Sequence, residues 1–229
     1  MRFDMHIHTI FSRYNFWKFE SSIKPRELIK FALKRKLDGI AVTDHDTTKG
    51  MAACFKENRN LGSKLQVVPG CEIRSKEGHI LAYDIKEWKH KKYLPAVEVI
   101  EKIKDLGGIA VAAHPYRDEI FKRSLRDLVK NLKLDGIEVL DFNNSKEANR
   151  KAMIDASKLK LGRTAGGDAH MIFDVGKVAT ICEKDIIDAI VKNKTRVEGK
   201  ESSFPRRIGS NAYRVIYNLL NSKQKNRAC

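Results

Sequence analysis

Short apolar runs alternate with amphipathic stretches about seven times along this chain, and that alternation limits its fold more than any other feature. The runs are RFDMHIH (2–8), GIAVT (39–43), LQVVP (65–69), HILAYDI (79–85), IAVAA (109–113), GIEVL (136–140) and GRTAGG (162–167). They are too short for buried helices, so each reads as a strand. Between them, Pro25 to Lys36 places Leu28, Ile29, Ala32 and Leu33 on one face, and Pro95 to Leu106 does the same with Val99, Ile100, Ile103 and Leu106. Pro25 and Pro95 suit a first helical turn, and Gly107 with Gly108 suits a helix stop. Further helices are expected near 47–60, 121–133, 145–160 and 183–193. Strands this apolar offer no water-facing side, which predicts an α/β fold whose parallel sheet is covered by helices. A closed or nearly closed barrel fits the repeat best, and 229 residues suffice for it. After Phe204 and Pro205, Ala212, Val215, Ile216, Leu219 and Leu220 share one more helical face. The expected organisation is therefore a barrel domain over 1–204, then a C-terminal helix packed outside it and a basic tail over 205–229.

Composition narrows the function. A hydrophobic share of 42% excludes a disordered chain. No apolar stretch is long enough to span a membrane and MRFDMHIHT has no signal-peptide core, so no membrane association is expected. Cys54, Cys71, Cys182 and Cys229 form no CxxC pair, which argues against a thiolate metal site and leaves a cytoplasmic location as the expectation. The net charge of +16 favours phosphorylated or polyanionic partners.

The histidines carry the chemistry. His6 and His8 end the first run, where a two-residue period turns both rings to one side. His45 follows the second run in TDHD, His79 opens HILAY, His114 follows IAVAA, and His170 follows GGD. Glu72 lies just after Pro69–Gly70 and Asp168 two residues before His170. Parallel barrels place their sites at the carboxyl ends of the strands, where these residues would meet. Imidazole and carboxylate without thiolate suit zinc, manganese or iron, and eight such side chains exceed what one ion takes. Paired ions can hold a bridging hydroxide and polarise a phosphoryl or carbonyl oxygen, with Glu72 a natural bridge. Asp4 points the same way and could accept from an imidazole.

These motifs, DxHxHT (4–9), TDHD (43–46), PGCE (69–72), His79, His114–Pro115 and GGDAH (166–170), resemble the polymerase and histidinol phosphatase (PHP) superfamily over about 170 residues. The resemblance implies a distorted (β/α)7 TIM-like barrel, two or three divalent metal ions, and hydrolysis of phosphoesters. It implies that His6, His8, Glu72 and Asp168 bind one ion, Glu72, His79 and His114 a second, and His45 with His170 a third. One departure stands out. Members with a full third site continue the first motif as HTxxSD, whereas HTIFSR puts Arg13 at the acidic position. Arg13 could instead clamp a substrate phosphate, with a solvated loop arginine as the competing role; Arg117, Arg206 and Arg207 are further phosphate-binding candidates, with surface salt bridges as theirs. The aromatic residues between Phe11 and Phe19 could stack a base or simply fold over the rim. Asn143 and Asn144 could line the mouth or cap the next helix.

The sequence therefore predicts a metal-dependent phosphoesterase that cleaves phosphate mono- or diesters by metal-activated hydroxide. Asp44 and Asp46 are candidates for the leaving-group acid, each equally readable as a strand-end acceptor. The charge favours nucleotide or nucleic-acid ends over a neutral metabolite phosphate, though small anions are steered as well. Two other readings compete. A C–N amidohydrolase would be expected to use a carbamylated lysine bridge, and Glu72 speaks against it. A metal-free PHP-like RNA-binding subunit would not be expected to keep eight ligand-type residues.

Overall fold

The computed structural model describes residues 1–12, 20–90, 93–117, 124–203 and 205–206. All seven runs form strands: β1 (Arg2–Ile7), β2 (Gly39–Val42), β3 (Gln66–Arg74), β4 (His79–Tyr83), β5 (Ile109–Ala112), β6 (Gly136–Asp141) and β7 (Gly162–Gly166). Two short strands missed in the sequence follow, β8 (Val178–Ile181) and β9 (Arg196–Gly199). The helices are α1 (Pro25–Lys34), α2 (Lys49–Asn60), α3 (Ala96–Asp105), α4 (Lys146–Leu159) and α5 (Ile186–Val191). Where a helix was expected over 121–133, the described part is a 3-10 segment, Arg126–Asn131.

The strands form one sheet in the order β7-β6-β5-β4-β3-β2-β1-β8-β9. It is a distorted, nearly closed TIM-like barrel. Neighbours are parallel from β1 to β3 and from β5 to β7, but β4 runs antiparallel to both β3 and β5. The physical reason is the connection. A parallel crossover needs about a dozen residues or more, and only Ser75 to Gly78 separate β3 from β4. Ser75 Oγ closes that turn, donating to the Gly78 carbonyl at 2.6 Å and accepting from the Gly78 N–H at 3.0 Å. The expectation of an all-parallel barrel is corrected here. It has a useful consequence, because reversal brings the amino end of β4, and with it His79, to the mouth where the other strands end.

In β1 the odd residues Phe3, Met5 and Ile7 are buried in apolar clusters, and Asp4, His6 and His8 take the opposite face. The barrel closes across β1 and β7. His8 N–H donates to the Ala169 carbonyl at 3.0 Å, and Ala169 N–H to that of His6 at 3.2 Å. Gly166 makes this approach possible: a Cβ there would stand 2.3 Å from the His6 Cβ. α1 buries Leu28, Ile29 and Ala32 against Ile40 and Val67, each large apolar side chain contributing about 1.5–3 kcal/mol of transfer free energy. α4 starts at Ser145, whose hydroxyl accepts from the Ala148 N–H. Cys54, Cys71 and Cys182 are buried and free. Among the described residues no helix is long and apolar enough to cross a membrane. The segments read as an aromatic rim loop and a C-terminal helix lie outside the described residues, as do Arg13 and Arg207.

Candidate metal centre

The eight predicted ligand residues converge on one buried cluster at the mouth. His6 Nε2 stands 3.2 Å from His8 Nε2, 3.2 Å from Glu72 Oε2 and 3.4 Å from Asp168 Oδ1. His8 Nε2 is 3.0 Å from the same Glu72 oxygen and 3.1 Å from the same Asp168 oxygen. A tetrahedron whose corners lie about 2.0–2.1 Å from its centre has edges of about 3.3–3.4 Å. These five separations are of the size that a small divalent cation requires. The other Glu72 oxygen, Oε1, is 2.7 Å from His79 Nδ1 and 3.0 Å from His114 Nε2. One carboxylate thus faces two groups of imidazoles.

The third group contains an acid that sequence reasoning missed. Glu20 lies buried with His8, His45 and His170. Its oxygens stand 3.5 Å from His45 Nε2 and 3.3 Å from His170 Nε2. The departure at Arg13 therefore does not leave this group without a carboxylate. A signal existed, since Glu20 is the first acidic residue after Asp4 and directly follows the aromatic stretch.

Hydrogen bonds to the far ring atoms aim the two HxH histidines. His6 donates Nδ1–H to Glu138 Oε1 at 3.0 Å. His8 donates Nδ1–H to Ser12 Oγ at 3.0 Å, and that hydroxyl donates onward to Glu20 Oε2 at 3.2 Å. In the neutral tautomer this leaves both Nε2 lone pairs facing the centre. Glu138 also accepts from the His114 backbone N–H at 2.8 Å, holding a residue whose φ of 28° is unfavourable for a side-chain-bearing residue. Its signal was a charge in the middle of GIEVL, where burial demands a partner. Glu138→Gln is expected to weaken metal binding about tenfold in a chelator competition, because an amide presents an N–H₂ to one of these two donors. Unchanged affinity would remove Glu138 from this orienting role.

Electrostatics follow from packing acids and imidazoles together. Burial raises the Glu72 carboxyl, but His45, His6 and His79 outweigh it and hold the group well below the usual carboxylate range. Asp168 is likewise held low against burial, by Arg117, His170 and His6. Glu20 is held low by His45 and His170. Burial opposes protonation of His8, yet Asp168 and Glu72 raise it to about 9. His114 is pushed well below its ordinary value by burial and by Arg117.

The remaining predicted residues are placed differently from one another. Asp44 accepts from Thr9 Oγ1 at 2.7 Å and from the Thr9 N–H, pinning the turn after β1. Asp46 receives the Arg74 guanidinium at 2.6 Å and the Arg74 N–H at 3.0 Å. Both thus occupy acceptor positions at strand ends. Arg117 is buried between Asp141, which it contacts closely, and Asp168 at 2.7 Å. Burial pushes Asp141 up to about 7 against the pull of Arg117. Asp4 accepts from the backbone N–H groups of His6, Gly167 and Gly176 rather than from an imidazole. Asn143 donates to the Gly167 carbonyl at 2.8 Å, bracing the Asp168 loop. Arg206 pairs with Asp174 at 2.6 Å.

The PHP domain model matches residues 4–145, and the PHP-associated model matches 146–195. The chain belongs to the PHP family. An uncharacterised protein of Methanocaldococcus jannaschii is 39% identical over 145 residues, covering 62% of this chain and 82% of that one. The 5'-3' exoribonuclease Rnm of Escherichia coli is 31% identical over 87 residues, 36% of this chain and 27% of that protein. Among solved structures, a two-domain protein from Bacteroides vulgatus, described as containing a predicted PHP-like metal-dependent phosphoesterase, superposes with a TM-score of 0.71. It shares 18% identity, with coverage of 87% of this chain and 64% of that one. The PHP match spans β1 to β6, and the stretch matched by the associated model supplies β7, Asp168 and His170 to the same sheet and cluster.

Proposed function

We propose that this PHP protein is a metal-dependent phosphoesterase that hydrolyses phosphate mono- or diesters at nucleotide or nucleic-acid ends. The observation that carries the reading is Glu72, whose two oxygens each face two or more imidazoles within 3.2 Å. His6, His8, Glu72 and Asp168 would hold one ion, Glu72, His79 and His114 a second, and Glu20, His45 and His170 a third. When bound, such ions supply Lewis acidity to a phosphoryl oxygen, activate water and stabilise the departing oxygen. The chain's own part is to fix the donors. Glu138 and Ser12 orient the HxH rings, Asn143 and Arg117 hold Asp168, and Asp4 ties β1 to the loop after β7. The net charge of +16 and the exoribonuclease relative support a nucleic-acid substrate. Glu72 in the bridging place, where a carbamylated lysine would be expected, speaks against an amidohydrolase. Complete donor sets speak against a metal-free RNA-binding role.

A screen over mononucleotides, bisphosphates, sugar phosphates and short oligonucleotides, with added manganese or zinc, tests this directly. Hydrolysis is expected only with metal and not in His8→Ala. Metal analysis is expected to find one ion fewer per chain in Glu20→Gln than in the parent. A metal-loaded protein inert towards every phosphoester, or one that takes up no metal, would end the proposal.

A further inference from the structure

We propose that the outer face of α1, together with Phe173, is a docking surface for single-stranded nucleic acid running away from the metal centre. The surface starts at the rim. Ser21 Oγ donates to the His8 carbonyl at 2.8 Å and Ser22 N–H to the His170 carbonyl at 3.1 Å, so the segment entering α1 hangs on two ligand-type residues. From there Arg26, Lys30 and Lys34 recur every four residues on the exposed side of the helix. Each step of four advances about 6 Å along the axis, and neighbours at this spacing face one another.

Like charges so placed destabilise a helix, and in three of the other helices a cation is offset by an acid one turn away. Lys102 pairs with Glu98 in α3, Arg150 with Glu147 in α4, and Lys192 with Asp188 in α5. In α1 the one acid, Glu27, is 3.9 Å from Lys24, and Arg26, Lys30 and Lys34 pair with no acid among the described residues. A row of uncompensated cations kept against local energetics fits a row of phosphates.

An aromatic group stands beside the row. Phe173, three residues beyond His170, is 65% exposed. It meets Phe31 of α1 edge-on, with centroids 6.3 Å apart, and the Arg35 guanidinium lies 5.1 Å from the Phe31 ring centre. Exposed aromatic rings flanked by cations are how sequence-tolerant single-strand binders stack bases while holding the backbone. The aromatic favours nucleic acid over an acidic protein or an anionic membrane, which would need only the charge. The direction of the strand, from the mouth outward, rests on the phosphoesterase reading above; the binding itself does not.

Binding is measured by fluorescence anisotropy of a labelled oligouridylate with the full chain in EDTA, so that no hydrolysis is required. Arg26→Glu, Lys30→Glu and Lys34→Glu together are expected to weaken binding more than tenfold. Three lost phosphate contacts should also flatten the log–log salt slope by about 2. Phe173→Ala is expected to cost about tenfold with the slope unchanged, since stacking carries no counterions. Both variants should hydrolyse a small aryl phosphate like the parent. Unchanged affinity and slope in the triple variant would overturn the proposal. So would a Phe173→Ala variant that binds normally while the triple variant loses anionic phosphatidylserine vesicles as strongly as RNA. If the parent binds the oligonucleotide but hydrolyses no phosphoester, the docking surface stands and the catalytic reading falls; hydrolysis of small phosphates without oligonucleotide binding means the reverse.

Discussion

Glu72→Ala is expected to lower turnover of any accepted phosphoester on the order of a thousandfold, more than loss of any single histidine. Each histidine would serve one of the proposed ions, whereas the Glu72 carboxylate contacts His6, His8 and His45 through Oε2 and His79 and His114 through Oε1. It is 1% exposed, so no water can replace it at low cost. Without it, two proposed ions lose their common ligand and five imidazoles lose the counter-charge they share. Glu72→Gln should come close to Glu72→Ala, because the amide keeps the shape but turns one acceptor into a donor facing ligand nitrogens. Glu72→Asp keeps the charge one methylene short and should retain one ion better than the other. Metal analysis alongside kcat/KM separates these outcomes. A Glu72→Ala protein that holds its full metal complement and turns over within tenfold of the parent would remove Glu72 from the bridging place.

What the sequence disclosed, and what it withheld, follows from the range of the forces involved. Strand positions were readable because period and apolarity are local, and so was the HxH geometry, since strand pleating alone puts His6 and His8 on one side. The direction of β4 was not. HILAY has the same pattern in either orientation, and only the four-residue turn from Arg74 to His79 decides it. That is also why His79 belongs to the mouth although it begins its strand. β8 and β9 were missed because neither shows an unbroken apolar run: Thr180 interrupts β8, and β9 (RVEG) is polar and mostly exposed. Glu20 lies outside every strand and helix of the described residues, so no periodicity marks it. Glu138 and Asp141 sit in a strand that read as apolar, and their burial is tolerable only because His6 arrives from β1 and His114 and Arg117 from the segment after β5. Partners distant in sequence are visible only once the fold has brought them together. The same holds for Asp4, whose carboxylate is consumed by three backbone N–H groups from two chain segments far apart.

Raising the pH from 6 to 8 is expected to tighten metal binding by about a hundredfold for each proton the cluster must give up. In the metal-free protein, protons on imidazoles balance the buried acids. Against burial, Asp168 and Glu72 raise His8 to about 9, and Glu138, Glu72 and Asp168 raise His6 well above its ordinary value. A cation needs the Nε2 lone pairs, so these protons have to leave, and the same carboxylates then balance the metal instead. His114 behaves oppositely. Burial and Arg117 already hold it neutral, so it releases nothing. The stability of the stripped protein should move the other way. A histidine raised from 6.5 to about 9 on folding contributes stability that is complete below pH 6.5 and is lost as the pH climbs through about 9. The rise in Tm on adding metal should therefore be larger at pH 8 than at pH 6, because fewer protons then compete with the cation. Titration calorimetry in buffers of different ionisation enthalpy counts the protons released, and melting curves with and without metal read the stability. Metal binding that releases no protons and does not vary between pH 6 and 8 would mean that the imidazoles are already neutral in the stripped protein. The mutual balance of His6, His8, Glu72 and Asp168 described here would then be wrong, whatever reaction the site performs.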